Sequence, residues 1–150
     1  MRPAILLAAL LAVTLAGCLP TARQLPAEQP PPATSTVECL TVSPDALEGI
    51  QWGLDDRNGP DSGISATRTA AILNPNDPAT DSWLVAVEFT GPGIPVGSSG
   101  TWYTLQDPTS AGTFAYLSVD AVAVEFSSYA QPAAASSAYP GVADVKACLG

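Results

Sequence analysis

The sequence predicts an α+β fold: a small antiparallel sheet of about four strands with helices packed on one face. Two observations carry this. Alternating apolar and polar runs between residues 82 and 119 are joined by connections too short to hold a crossover helix, so those strands form an antiparallel meander. Helical spacing of apolar residues occurs only before and after the strand region. An all-β sandwich is the competing architecture.

The elements follow in order. Val37 to Val42 is a short extended segment containing Cys39. Ser43-Pro44-Asp45 is a helix start, with Ser at the N-cap, Pro at the first helical position and a carboxylate in the first turn. Leu47, Ile50 and Leu54 then share one face of a helix over 44–54. Asp55 to Gly63 is expected to be a loop.

Thr67 to Leu73 is a strand, stopped by Asn74-Pro75-Asn76-Asp77-Pro78. Ser82 to Thr90 is the clearest strand. Trp83, Val85, Val87 and Phe89 take one face, and Ser82, Leu84, Ala86, Glu88 and Thr90 the other. After a turn-rich connection over 91–100 come strands at Thr101 to Gln106 and Gly112 to Val119. Residues 120–129 fit either period, and a helix capped by Asp120 is preferred. Val142, Val145 and Leu149 mark a last helix over 140–149, which carries Cys148.

The N-terminal segment gives an address. One basic residue, Arg2, precedes an apolar run from Ala4 to Ala16. That run is shorter than the roughly 20 residues a permanent span needs, but it has the length of a secretory signal core. It ends in Leu15-Ala16-Gly17-Cys18. Here the chain resembles bacterial lipoproteins with their lipobox, an aliphatic residue, two small residues and a cysteine. The resemblance implies cleavage before Cys18 and lipid on its thiol. Two or more acyl chains give stable anchoring, at about 0.8 kcal/mol per buried methylene. Residues 1–17 are then a signal peptide, and residues 18–36 are a lipid-anchored tether. Pro20, Pro26 and Pro30 to Pro32 favour extended polyproline II in that tether. Residues 37–150 are one extracytoplasmic domain. Together with the terminal cysteine pair and the strand pattern, the lipobox resembles that of small actinobacterial envelope lipoproteins of unassigned function. The implied location is the outer side of the cytoplasmic membrane.

With Cys18 assigned to lipid, Cys39 and Cys148 remain. Export puts them in an oxidising compartment, so they are expected to form a disulfide that joins the two ends of the domain. Neither lies in a Cys-x-x-Cys motif.

Composition limits the chemistry. The formal charge is −9, which makes nucleic acid and anionic lipid head groups poor partners. There is no histidine, so Ser-His-Asp triads, Cys-His pairs and most catalytic zinc sites are excluded. Lys146 is the only lysine, on an expected surface helix. No metal or cofactor motif is present: the 55–61 loop lacks the calcium-loop pattern, and Gly91-Pro92-Gly93 lacks a third glycine. Glu88 and Glu125 are candidates, by residue type alone, for the paired carboxylates of a glycan hydrolase.

One constellation suggests a binding face. If strands 101–106 and 112–119 pair, Trp102, Phe114 and Tyr116 share a face, and Tyr103, Leu105, Leu117 and Val119 fill the other. An exposed aromatic row would stack on a sugar or grip a protein, whereas a row covered by helices would be core. The functional expectation is therefore a non-catalytic envelope lipoprotein that binds an envelope protein or glycan. A small hydrolase of envelope glycans is the alternative.

Overall fold

A computed structural model describes residues 37–77, 80–132 and 136–150. The lipobox with Cys18 and the proline tether lie outside the described residues. The elements run α1 (Pro44–Asn58), β1 (Ser65–Leu73), β2 (Trp83–Thr90), β3 (Ser99–Thr104), β4 (Leu117–Ser118), α2 (Ala121–Phe126) and α3 (Val142–Ala147). The four strands form one antiparallel sheet in the order β1-β2-β3-β4. The α+β class and the meander are as the sequence predicts.

Local chemistry explains the helix ends. Ser43 Oγ accepts from Ala46 N, with Pro44 beginning the helix behind it. The helix continues four residues beyond the expected end. Asp55 to Asn58 tolerate helical backbone, and the chain turns only at Gly59, whose φ of 92° suits glycine. Asp120 caps α2 by accepting from Ala123 N, so the ambiguous 120–129 segment is helical over Ala121–Phe126 and turns extended from Ser127.

The helices cover both faces of the sheet, rather than the one face expected from sequence. α1 and α2 cover one side, where Ile50, Leu54, Ala71, Val85, Val87, Phe89, Trp102 and Ala123 form a cluster. α3 covers the other, packing Val142 and Val145 on Ile72, Leu84, Ala86 and Val119. Both faces of β2 are apolar over 83–87, so one layer of helices would leave Leu84 and Ala86 in water.

The expected strand over 112–119 shrinks to two residues. Residues 112–116 give up the ladder because their backbone finds side-chain partners elsewhere. Gly112 N donates to Asp45 Oδ2 at 3.0 Å, and Ala115 N to Gln106 Oε1 at 3.2 Å. The loop before β4 is thereby drawn onto the start of α1, where Ser43 N also donates to Pro108 O.

Cys39 and Cys148 form a disulfide, with Cα atoms 5.7 Å apart and a sequence separation of 109. Beside it, Leu40 makes an antiparallel bridge to Ala71. The bond thus ties the end of α3 to the segment that covers the outer edge of β1.

Candidate functional site: an aromatic cleft on helix α1

Trp102, Phe114 and Tyr116 lie on the same side of the sheet, but they do not make an exposed row. Trp102 is 0% exposed, and its indole Nε1 donates to Ser127 Oγ. Tyr116 is buried in the same cluster, and Phe114 packs half-buried against it. α1 and α2 cover this face, so the expected binding surface on the sheet is core.

The structure puts exposed aromatic surface one layer further out. Asp45, Glu48, Gly49 and Trp52 of α1, with Gly112, Thr113, Phe114 and Tyr129, line an open cleft of about 550 Å³. Trp52 is 61% exposed. Its ring centroid lies 6.3 Å from that of Tyr129, tilted by 46°. Tyr129 meets Tyr116 edge-on at 5.6 Å, and Tyr116 stacks on Phe114 at 5.9 Å. The four rings form one continuous chain, in which Tyr116 reaches the core and Trp52 the surface.

Two glycines in α1 make this arrangement possible. Gly49 and Gly53 are four residues apart, so they share a helix face. A Cβ on Gly49 would come within 3.0 Å of the Tyr116 ring, and one on Gly53 within 2.3 Å of the Tyr129 ring. With no side chains there, both rings lie directly on the helix backbone. Tyr116 Oη donates to Ala46 O at 2.8 Å, and Tyr129 Oη to Gly49 O at 2.5 Å. Burial pushes both phenols up from their ordinary pKa, and at Tyr129 the charge of Asp56 adds to the effect. Both therefore stay protonated and act as fixed donors at neutral pH.

The cleft is acidic. Asp45 and Glu48 line it, and Asp56 is exposed on the same side of α1 as Trp52. Asp45 accepts from Gly112 N, whereas Glu48 and Asp56 meet no cation among the described residues. The described ion pairs lie elsewhere. Arg68 pairs with Glu88, and Lys146 Nζ sits 2.8 Å from Asp120 Oδ2.

Glu88 and Glu125 are not brought together. Glu88 is held by Arg68 on the α3 side of the sheet, and Glu125 is exposed on α2, which packs on the opposite side. Lys146 is not a solvated helix residue. It reaches Asp120 at the start of α2 and donates to Ser99 O at 2.7 Å. The Asp120 contact is an ion pair without hydrogen-bond geometry. Among the described residues, no three acidic, Cys or His side chains converge on a metal-sized space. Nor is any helix there long and apolar enough to cross a membrane.

The sequence does not mark Trp52, Tyr129 or Glu48 as site residues, and it marks Asp45 only as a helix-start carboxylate. One signal was available: Trp52 sits on the opposite side of α1 from Leu47, Ile50 and Leu54. A tryptophan on the polar side of an amphipathic helix has no core to enter. Comparison with family models, curated proteins and solved structures finds no match for this chain.

Proposed function

We propose that this chain is a lipid-anchored envelope protein whose domain is a non-catalytic binding module, engaging its partner through the α1 cleft. The observation that carries the reading is Trp52, a large aromatic left 61% exposed beside Tyr129 and Phe114 in a concave site. Exposed aromatic surface in a cleft costs solubility and is retained where it meets a partner. The site also rests on a helix packed into the core, so it is held rigid for binding. Phenols kept protonated suit hydrogen bonding better than proton transfer.

Anchoring through lipid on Cys18 would hold this cleft outside the cytoplasmic membrane, spaced from it by the tether over 18–36. Two measurements test the reading. Mass spectrometry of the mature N-terminus should find diacylglycerol on Cys18, and an unmodified cysteine or retained residues 1–17 would refute the anchor. Trp52→Ala should abolish capture of envelope partners that the native chain retains, and unchanged capture would refute the cleft.

A second reading has one observation in its favour. Asp45 and Glu48 lie one turn apart on the cleft wall, where a glycan hydrolase would need paired carboxylates. If Glu48→Gln removes a measurable cleavage of envelope glycan, the module is an enzyme instead.

A further inference from the structure

We infer that the α1 cleft takes a basic side chain, Lys or Arg, presented by a peptide segment of a partner protein. The inference rests on the binding reading above and names the chemistry of the partner.

Three features point to a cation. First, the walls are aromatic. Trp52 and Tyr129 stand 6.3 Å apart at 46°, with Phe114 across the cleft. Faces of this kind attract ammonium and guanidinium groups, and Trp does so best.

Second, negative charge stands on and beside the cleft wall without an ion pair among the described residues: Glu48 lines the cleft, and Asp56 lies outside its lining, one turn beyond Trp52. Glu48 and Asp56 have no cationic partner among the described residues, while Glu88 and Asp120 each have one. Carboxylates beside an aromatic wall add charge-assisted hydrogen bonds to the same cation. The chain's −9 charge would steer a basic segment towards it.

Third, part of the cleft's polar lining is already engaged within the domain. The Tyr129 phenol gives its proton to Gly49 O, and Asp45 Oδ2 accepts from Gly112 N. A hydroxyl-rich ligand would want many such groups free, whereas a single cation needs only the aromatic faces and one or two carboxylates. The open, shallow form suits one side chain on an extended segment.

The test is a titration of the full chain in neutral detergent, followed through the indole N–H resonance of Trp52, which Trp52→Phe identifies among the three tryptophans. Three probes are compared: an end-capped arginine pentapeptide, the same peptide with glutamine for arginine, and a chitin tetrasaccharide. The arginine peptide should bind saturably and weaken as salt rises. Glu48→Gln, followed through the same resonance, and Trp52→Ala, followed by isothermal titration calorimetry beside the native chain, should each weaken it by about tenfold, with native thermal unfolding in both variants. Equal binding of the glutamine peptide or the sugar, or no effect of Glu48→Gln, would overturn the inference while leaving the cleft as a binding site. If no probe moves the Trp52 resonance, the inference fails. If envelope capture is also indifferent to Trp52→Ala, the binding reading fails with it.

Discussion

The Tyr129 ring occupies the space that a side chain at Gly53 would fill: a Cβ built on Gly53 would lie 2.3 Å from Tyr129 Cε2. The ring cannot simply swing away, because its hydroxyl is bonded to Gly49 O, one turn earlier on the same helix. Gly53→Ala therefore sets two effects against each other. Alanine favours the helix by about 1 kcal/mol, and forcing an added methyl into a packed site costs about 1–3 kcal/mol. The clash should win, for a net loss of about 1 kcal/mol in urea unfolding, with a changed Trp52 environment. A gain in stability would mean that Tyr129 is not fixed there.

The disulfide is the longest constraint in the domain. Closing a loop over a sequence separation of 109 removes roughly 4–5 kcal/mol of unfolded-state entropy in the chain-entropy picture, an upper value. Cys39→Ser and Cys148→Ser should each lower the thermal midpoint, by on the order of 15 °C. The two losses should be similar, because either change opens the same ring. Midpoints equal to that of the parent would show that the bond contributes nothing to stability.

The ion pair between Lys146 and Asp120 predicts a strong asymmetry. Asp120 is 1% exposed and also caps α2 through Ala123 N. Lys146→Met keeps the aliphatic stem but leaves a buried carboxylate without its counter-ion. That should cost about 3 kcal/mol, as for a buried pair broken from one side. Adding Asp120→Asn should restore much of the loss, since asparagine still caps the helix and carries no charge. Chemical denaturation of the two single variants and the double variant measures the coupling. A loss below about 1 kcal/mol for Lys146→Met would class the pair with exposed ones.

How much of this was legible in the sequence differs by level. The Ser43-Pro44 cap, the alternation over 82–90 and the terminal cysteine pair each reflect local rules or compartment chemistry, and they led to the right class and the right bond. The two-sided helix layer was only half legible. Leu84 and Ala86 share a face with Glu88, and the pattern alone does not say which wins until Val142 and Val145 are seen to pack on Leu84 and Ala86 while Arg68 pairs with Glu88. The strand over 112–116 failed for a long-range reason. Asp45, 67 residues away, takes the N–H of Gly112. The aromatic face is hidden for a similar long-range reason: alternation on β3 and β4 groups Trp102, Phe114 and Tyr116, but only packing shows that α1 covers them and carries an exposed aromatic, Trp52, on its own outer side.

The buried phenols give the domain a pH limit on the alkaline side. Burial raises Tyr116 far above the ordinary tyrosine value, and burial with the nearby Asp56 charge raises Tyr129. Tyrosine in the unfolded chain titrates near about 10. Below that pH both states hold the proton and the phenols add no pH dependence. Above it the unfolded state loses protons that the folded state keeps, so unfolding is favoured as pH rises. Stability measured by urea at pH 7 and at pH 11 should fall, and Tyr116→Phe should reduce the fall. The same variant should lose about 1 kcal/mol at pH 7, because the bond to Ala46 O goes with the hydroxyl. An identical alkaline loss in parent and variant would show that Tyr116 is not the sensitive group.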